Sequence, residues 1–287
     1  MTGMVDLAAL RLPALPEPLP SATVDAHTHL DAVVERTGLS VDDSLDLARQ
    51  VGINWVIQAG DTAADSAWAV TVAEQHDAVV ACVALHPNEV ARHRERAEEG
   101  FAEISRLAKA DQVRAIGETG LDYYRTTDPA AQARQGEFFR RHIELACELG
   151  LTLMIHDRDA HQDLLTILDD SPRPDRVVMH AFSGDEDHAR ACLERGYWLS
   201  FPGVTTYPAN HHLRRALAVA APEKILVETD APYLTPVPFR GRANGPYLTP
   251  YTVRFIAEQK GWDLAEACLL LRQNAFAAYG GVWGQDG

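Results

Sequence analysis

Basic charge is scarce in this sequence: 26 lysine and arginine side chains face 41 aspartates and glutamates, a formal net charge of −15 over 287 residues. Proteins that hold long stretches of nucleic acid neutralise phosphates with a basic surface, so this balance argues against a tight, extended DNA-binding track. A substrate carrying one or two phosphates remains open, because divalent cations and a few local arginines can neutralise them. Cysteine is scarcer still. Cys82, Cys147, Cys192 and Cys268 stand far apart, without zinc-ribbon or thioredoxin spacing, and read as reduced thiols, mostly buried, which suits the cytoplasm. No apolar run approaches the roughly 20 residues of a membrane helix. The opening stretch MTGMVDLAALRLPALPEPLP has no basic start and breaks at Pro13, Pro16, Pro18 and Pro20. Residues 1–20 therefore read as a proline-stiffened lead-in rather than a signal peptide. Nothing implies a stable protein partner.

What is present is alternation. After Ser21, short β-branched runs alternate with longer amphipathic ones about eight times. The strand-like runs are 23–27, 54–60, 78–87, 113–118, 151–156, 176–180, 197–203 and 225–230. Most are apolar throughout, as strands buried on both faces are. Helical stretches are predicted at 63–75, 101–110, 128–150 and 185–196, the last two ending at Gly150 and Gly196, where a helix C-terminus favours glycine. This pattern predicts an α/β protein, a (β/α)8 TIM-type barrel, as one domain over 21–287. A Pro- and Gly-rich loop at 232–250 should cover one end, and an extra C-terminal helix within 262–280 should cap or flank the barrel.

The chemistry-bearing residues recur at strand ends. His27 and His29, in DAHTH, share one side of a strand because side chains alternate with a period of two. A lone HxH is a weak signal, and any one buried histidine is more often a satisfied core residue. The placement repeats, however: Glu118 ends strand four, His156 strand five, His180 strand six and Asp230 strand eight. Carboxylates and imidazoles crowded at one barrel mouth need compensation, and divalent cations supply it. The other histidines read as solvated, apart from His86, which ends strand three in LHPNE and for which a structural role is at least as good a reading.

The blocks DAHTHLD, GETGLDYYR, HDRDAH, HAFSG and ETDAPYL, in this order, resemble the signatures of the TatD family of metal-dependent hydrolases, within the amidohydrolase-like barrels. The match covers residues 23–280, and ALHPNE and PFRGR fit it too. The resemblance implies that His27, His29 and Asp230 hold one cation and His156 and His180 a second, with Glu118 bridging both where related barrels often use a carboxylated lysine. Zinc, manganese or magnesium would serve, the mixed N and O donors suiting zinc best. Such a pair acidifies water, and Asp230 is the candidate to orient that water and take its proton. Arg125, Arg158, Arg240 and Arg242 fall in mouth loops and are candidates to bind substrate phosphate, with Tyr123 and Tyr124 as possible stacking surfaces for a base. One departure is Gly245, in RANGPYL, where many relatives carry an acidic residue.

The expected function is a metal-dependent phosphodiesterase that trims DNA 3′ ends, as relatives of this family do, with single-stranded or terminal DNA as a transient substrate. The alternative is hydrolysis of a small ester, lactone or amide on the same site, since fold does not fix substrate. A non-catalytic scaffold would have eroded ligands, and all six are intact.

Overall fold

The computed structural model describes residues 5–284. Among them eight parallel strands follow chain order around a nearly closed barrel. They are β1 (Thr23–Thr28), β2 (Ile53–Gly60), β3 (Val79–Val83), β4 (Val113–Asp122), β5 (Thr152–Arg158), β6 (Val177–Met179), β7 (Trp198–Phe201) and β8 (Ile225–Val227). The helices that follow β1 are α1 (Leu30–Thr37) and α2 (Val41–Gln50). The crossovers from β2 to β8 carry α3 (Ala63–Gln75), α4 (Pro87–Arg92), α5 (Arg94–Leu107), α6 (Pro129–Leu149), α7 (His161–Asp169), α8 (Glu186–Glu194) and α9 (His211–Val219). Two helices come last, α10 (Thr249–Lys260) and the expected extra helix α11 (Leu264–Ala278). No helix among the described residues is long and apolar enough to cross a membrane.

Local chemistry sets the helix boundaries. Asp128 accepts the Ala131 N–H ahead of Pro129 at the start of α6, and Gly150 ends that helix in the left-handed conformation at φ 63°. Ser40 and Asp43 form a capping box on α2. α5 begins well before the predicted 101–110. Its first turns, RERAEEG, are charged and mostly solvent-facing, so apolar periodicity starts only near Phe101.

Two apolar layers follow from the strand period. Val24, Ile57, Val80, Cys82, Met154 and Leu226 belong to the inner cluster, while Val56, Val79, Ile116, Leu153 and Leu199 pack in the layer beneath the helices. The amino end of the barrel is closed by the end of α11: the Tyr279 hydroxyl donates to the Ala26 carbonyl at 3.1 Å, and Thr152 Oγ1 donates to the Ala278 carbonyl at 2.6 Å. The lead-in lies against the C-terminal part of the chain, with Tyr247 donating to the Pro13 carbonyl and Arg254 to those of Glu17 and Pro18.

Regular strand ends earlier than the sequence predicts at β3, β6, β7 and β8. The seam between β8 and β1 is completed past β8, where Asp230 N–H donates to the His27 carbonyl (3.0 Å) and His29 N–H to the Ala231 carbonyl (2.9 Å). The pairings of β1 and β4 are irregular, and the register shifts nearest the mouth fall between Asp25 and Thr28 and between Ile116 and Thr119. A bulge places two consecutive residues on one side. It lets Val24 and Ala26 fill the interior and then switches parity, so that His27 and His29 also turn inward.

Candidate metal centre

The structure brings His27, His29, Glu118, His156, His180 and Asp230 together at the carboxyl ends of the strands, at the foot of a cavity of about 650 Å³. Glu118 stands at the middle. Its Oε1 lies 3.4 Å from His29 Nε2 and 3.8 Å from His27 Nε2, while its Oε2 lies 3.0 Å from His156 Nδ1 and 2.7 Å from His180 Nε2. Asp230 Oδ1 closes the first group, 3.5 Å from His27 Nε2 and 3.4 Å from His29 Nε2. Two ligands at about 2.0–2.1 Å from a tetrahedral ion lie roughly 3.3 Å apart, so these separations fit shared cations.

The backbone is shaped to this end. Asp230 sits at φ +53°, a conformation non-glycine residues adopt reluctantly, held by its own N–H bond to His27 and by Tyr233 N–H donating back to its carbonyl at 2.8 Å. Gly117 lets β4 and β5 approach: a Cβ there would meet Met154 Cβ at 2.5 Å.

Each ligand imidazole is backed on its far nitrogen. His180 Nδ1 faces Glu228 Oε1 at 3.4 Å, His156 Nε2 faces Asp122 Oδ2 at 3.4 Å, His29 Nδ1 faces Asp61 Oδ1 at 3.9 Å, and His27 Nδ1 meets Met154 Sδ at 3.0 Å. Carboxylates behind metal-binding histidines fix the ring and raise its basicity; Asp122 and Glu228 are buried in that position, whereas Asp61 is half-exposed. Burial works against charging these rings, yet Asp122 and Glu118 draw His156 up to about 9. His180, against burial, is pulled well above the ordinary imidazole value by Glu118 and Glu228. His27 is driven the other way, by burial and by His180, and stays neutral. Burial opposes ionisation of Glu118, but His180 and His86 outweigh it and hold the carboxyl well below its usual range. The pocket thus holds a surplus of anionic donors that favours positive charge. His180 also keeps both ring nitrogens buried without hydrogen-bond geometry, its 2.7 Å approach to Glu118 included. Two donors that close and misaligned for a hydrogen bond are placed as two ligands of one ion are.

Residues that sequence reasoning undervalued stand here too. His86 Nε2 lies 3.8 Å from Glu118 Oε2, and its ring meets that of His156 edge-on at 4.5 Å. Its Nδ1 accepts the Asn88 N–H, which leaves the proton on the nitrogen facing the centre, and burial lowers its pKa to about 3. Asp122 is legible in hindsight, four residues after Glu118 on one strand; Glu228 is not, because β8 ends at Val227 and only the fold turns it under His180. Two histidines expected to be solvated are buried, His142 and His188, each packed from a helix onto the barrel.

Arg125 and Arg158 line the cavity, together with Arg92, and Arg158 lies over the Tyr124 ring at 4.0 Å. Tyr123 is tied down by donating to Asp163 at 2.9 Å. Arg240 is not part of the cavity wall, because its guanidinium stacks on Tyr207 at 4.8 Å, and Arg242 reaches instead to the Arg11 carbonyl. At Gly245 a Cβ would meet the buried Tyr247 ring at 2.9 Å, so a larger residue here, such as the acidic one the resemblance leads one to expect, has no room beside this tyrosine.

A (β/α)8 barrel with imidazoles and carboxylates converging at its carboxyl mouth defines a class, the metal-dependent hydrolases. Within it, the chain belongs to the TatD family: the TatD related DNase family matches residues 24–280. An uncharacterised metal-dependent hydrolase of Mycobacterium tuberculosis is 41% identical over 263 residues, covering 91% of this chain and 98% of that protein. Its counterpart YabD of Bacillus subtilis is 32% identical, covering 88% and 96%. Among solved structures, the TatD homologue YJJV of Escherichia coli superposes with a TM-score of 0.82 at 25% identity, covering 90% of this chain and 97% of that one.

Proposed function

We propose that the protein is a two-metal phosphodiesterase that removes nucleotides from DNA 3′ ends. The observation that carries this reading is the division of Glu118, one oxygen toward the His27–His29–Asp230 group and the other toward His156 and His180. Zinc, magnesium or manganese would be held by these six side chains, and such a pair acidifies a water and takes up charge on a phosphoryl oxygen. Asp230, part-exposed on the cavity wall, is suited to orient that water and accept its proton. Glu118 keeps the two groups in register. Arg125 and Arg158 bind the phosphate, and the Arg158–Tyr124 stack offers a surface to a terminal base.

The acidic balance of the chain supports short, transient contact with single-stranded or terminal DNA, and the four free cysteines suit a cytoplasmic location. A small ester, lactone or amide is the second reading. It is favoured by the cavity wall itself, where Asp61, Asp65, Glu89 and Asp157 accompany the arginines and repel a long polyanion.

The test is metal analysis of the purified protein together with hydrolysis of a 3′-labelled single-stranded oligonucleotide, with and without chelator. About two metals per chain and chelator-sensitive release of nucleotides are expected. Bound metal without nucleotide release, but with turnover of a carboxylic ester, would move the substrate to the second class.

A further inference from the structure

We propose a separate metal site on the rim of the barrel, formed by Asp157, His161 and His188, that takes a zinc-like divalent cation. His156 and Asp157 are consecutive on β5 and point to opposite sides, so the first faces the central cluster and the second turns toward α7 and α8. There Asp157 Oδ2 meets His161 Nδ1 at 2.8 Å and His188 Nε2 at 3.1 Å, and Cys192 Sγ lies 3.7 Å from the same His188 nitrogen. The side chains of Asp157 and His188 are only 6% and 7% exposed, whereas His161 is 35% exposed and opens the cluster to solvent. Gly184 makes the room: a Cβ at this position would come within 2.9 Å of His188 Cβ.

One carboxylate oxygen here serves two imidazoles, while the other, Asp157 Oδ1, is buried without a partner among the described residues. A buried oxygen without a partner keeps an uncompensated desolvation cost, which a coordinated cation removes. Two imidazoles and a carboxylate form a donor set of zinc, cobalt or nickel rather than of magnesium or calcium. The His161 and His188 rings stack at 4.3 Å, so an ion shared by both requires His161, at the exposed start of α7, to rotate out of the stack. The cation would then join the end of β5 to the starts of α7 and α8, beside Ser183, whose hydroxyl donates to the Asp157 carbonyl at 2.9 Å.

The experiment is zinc content after saturation and gel filtration, for the full chain and for H161A and H188Q. Each variant should carry about one zinc fewer per chain than the parent. H161A, at an exposed position, decides the matter if H188Q fails to fold. In a Glu118→Gln background, which disarms the barrel centre, a remaining zinc that H161A removes separates this site from the central one. Equal zinc in parent and H161A, in both backgrounds, overturns the proposal and leaves the reading of the central site untouched.

Discussion

Glu118 is the residue through which both halves of the centre communicate, and its neighbours differ in what their loss should do. His156→Ala removes the imidazole beside Oε2, and on the proposed reading metal content and hydrolysis should both fall; a variant with full metal and full rate would remove His156 from the centre. Asp122→Asn keeps the shape but weakens the support behind His156, and should lower metal affinity or activity about 10–100-fold. Metal titration measures this directly, and an unchanged affinity would make Asp122 a fold residue only. Arg158→Ala should raise KM for a phosphodiester more than for a neutral ester, since a guanidinium recognises phosphate and not an uncharged carbonyl. Equal effects would take it out of the phosphate pocket.

At the level of elements, α6 is fastened to the barrel by His142. The Leu85 N–H donates to its Nε2 at 3.2 Å, so the ring proton sits on Nδ1, which donates to the Phe138 carbonyl at 2.8 Å. Burial lowers this imidazole to about 4, against a partly opposing bond from Phe138. The folded state therefore resists a proton that the unfolded chain takes up at its ordinary value of about 6.5. The stability gained from keeping His142 neutral is complete above that value and is lost as pH falls toward 4, on the order of 3 kcal/mol in all. Urea unfolding of the parent and of His142→Gln should show a stability gap that narrows between neutral pH and pH about 5; a constant gap would contradict the assignment. The β4–β5 contact is testable in the same way. Gly117→Ala places a methyl 2.5 Å from Met154 Cβ, and overpacking of this kind costs about 1–3 kcal/mol.

For the whole molecule, charge is the governing quantity. A chain at −15 with three arginines on its cavity wall holds few phosphates, so nuclease activity should decline only gently as salt rises. A steep loss, of several powers of salt concentration, would reveal an extended basic track across the surface. If the protein acts on an anion, as proposed, cations held at the mouth together with Arg125 and Arg158 would supply the local positive charge there, set against Asp61, Asp65 and Glu89 on the same wall.

The sequence by itself determined the alternation of strands and helices, the barrel, and the six polar side chains that converge at its mouth, because apolar strand cores and polar strand ends are local patterns that repeat in the chain. It determined the family as well, through five blocks whose order and spacing survive without any structure. It also misread what depends on contacts distant along the chain. Arg240 reads as a mouth arginine until Tyr207 is seen to hold it, and His188 as a solvated helix residue until Asp157 and Phe182 close over it. Only the tertiary structure decided that Glu228 stands behind His180 and Asp122 behind His156, that His86 turns its proton toward Glu118, and that β1 and β4 bulge so that His27 and Glu118 turn inward. Those outcomes arise where strands pair and loops meet, and no window of neighbouring residues contains them.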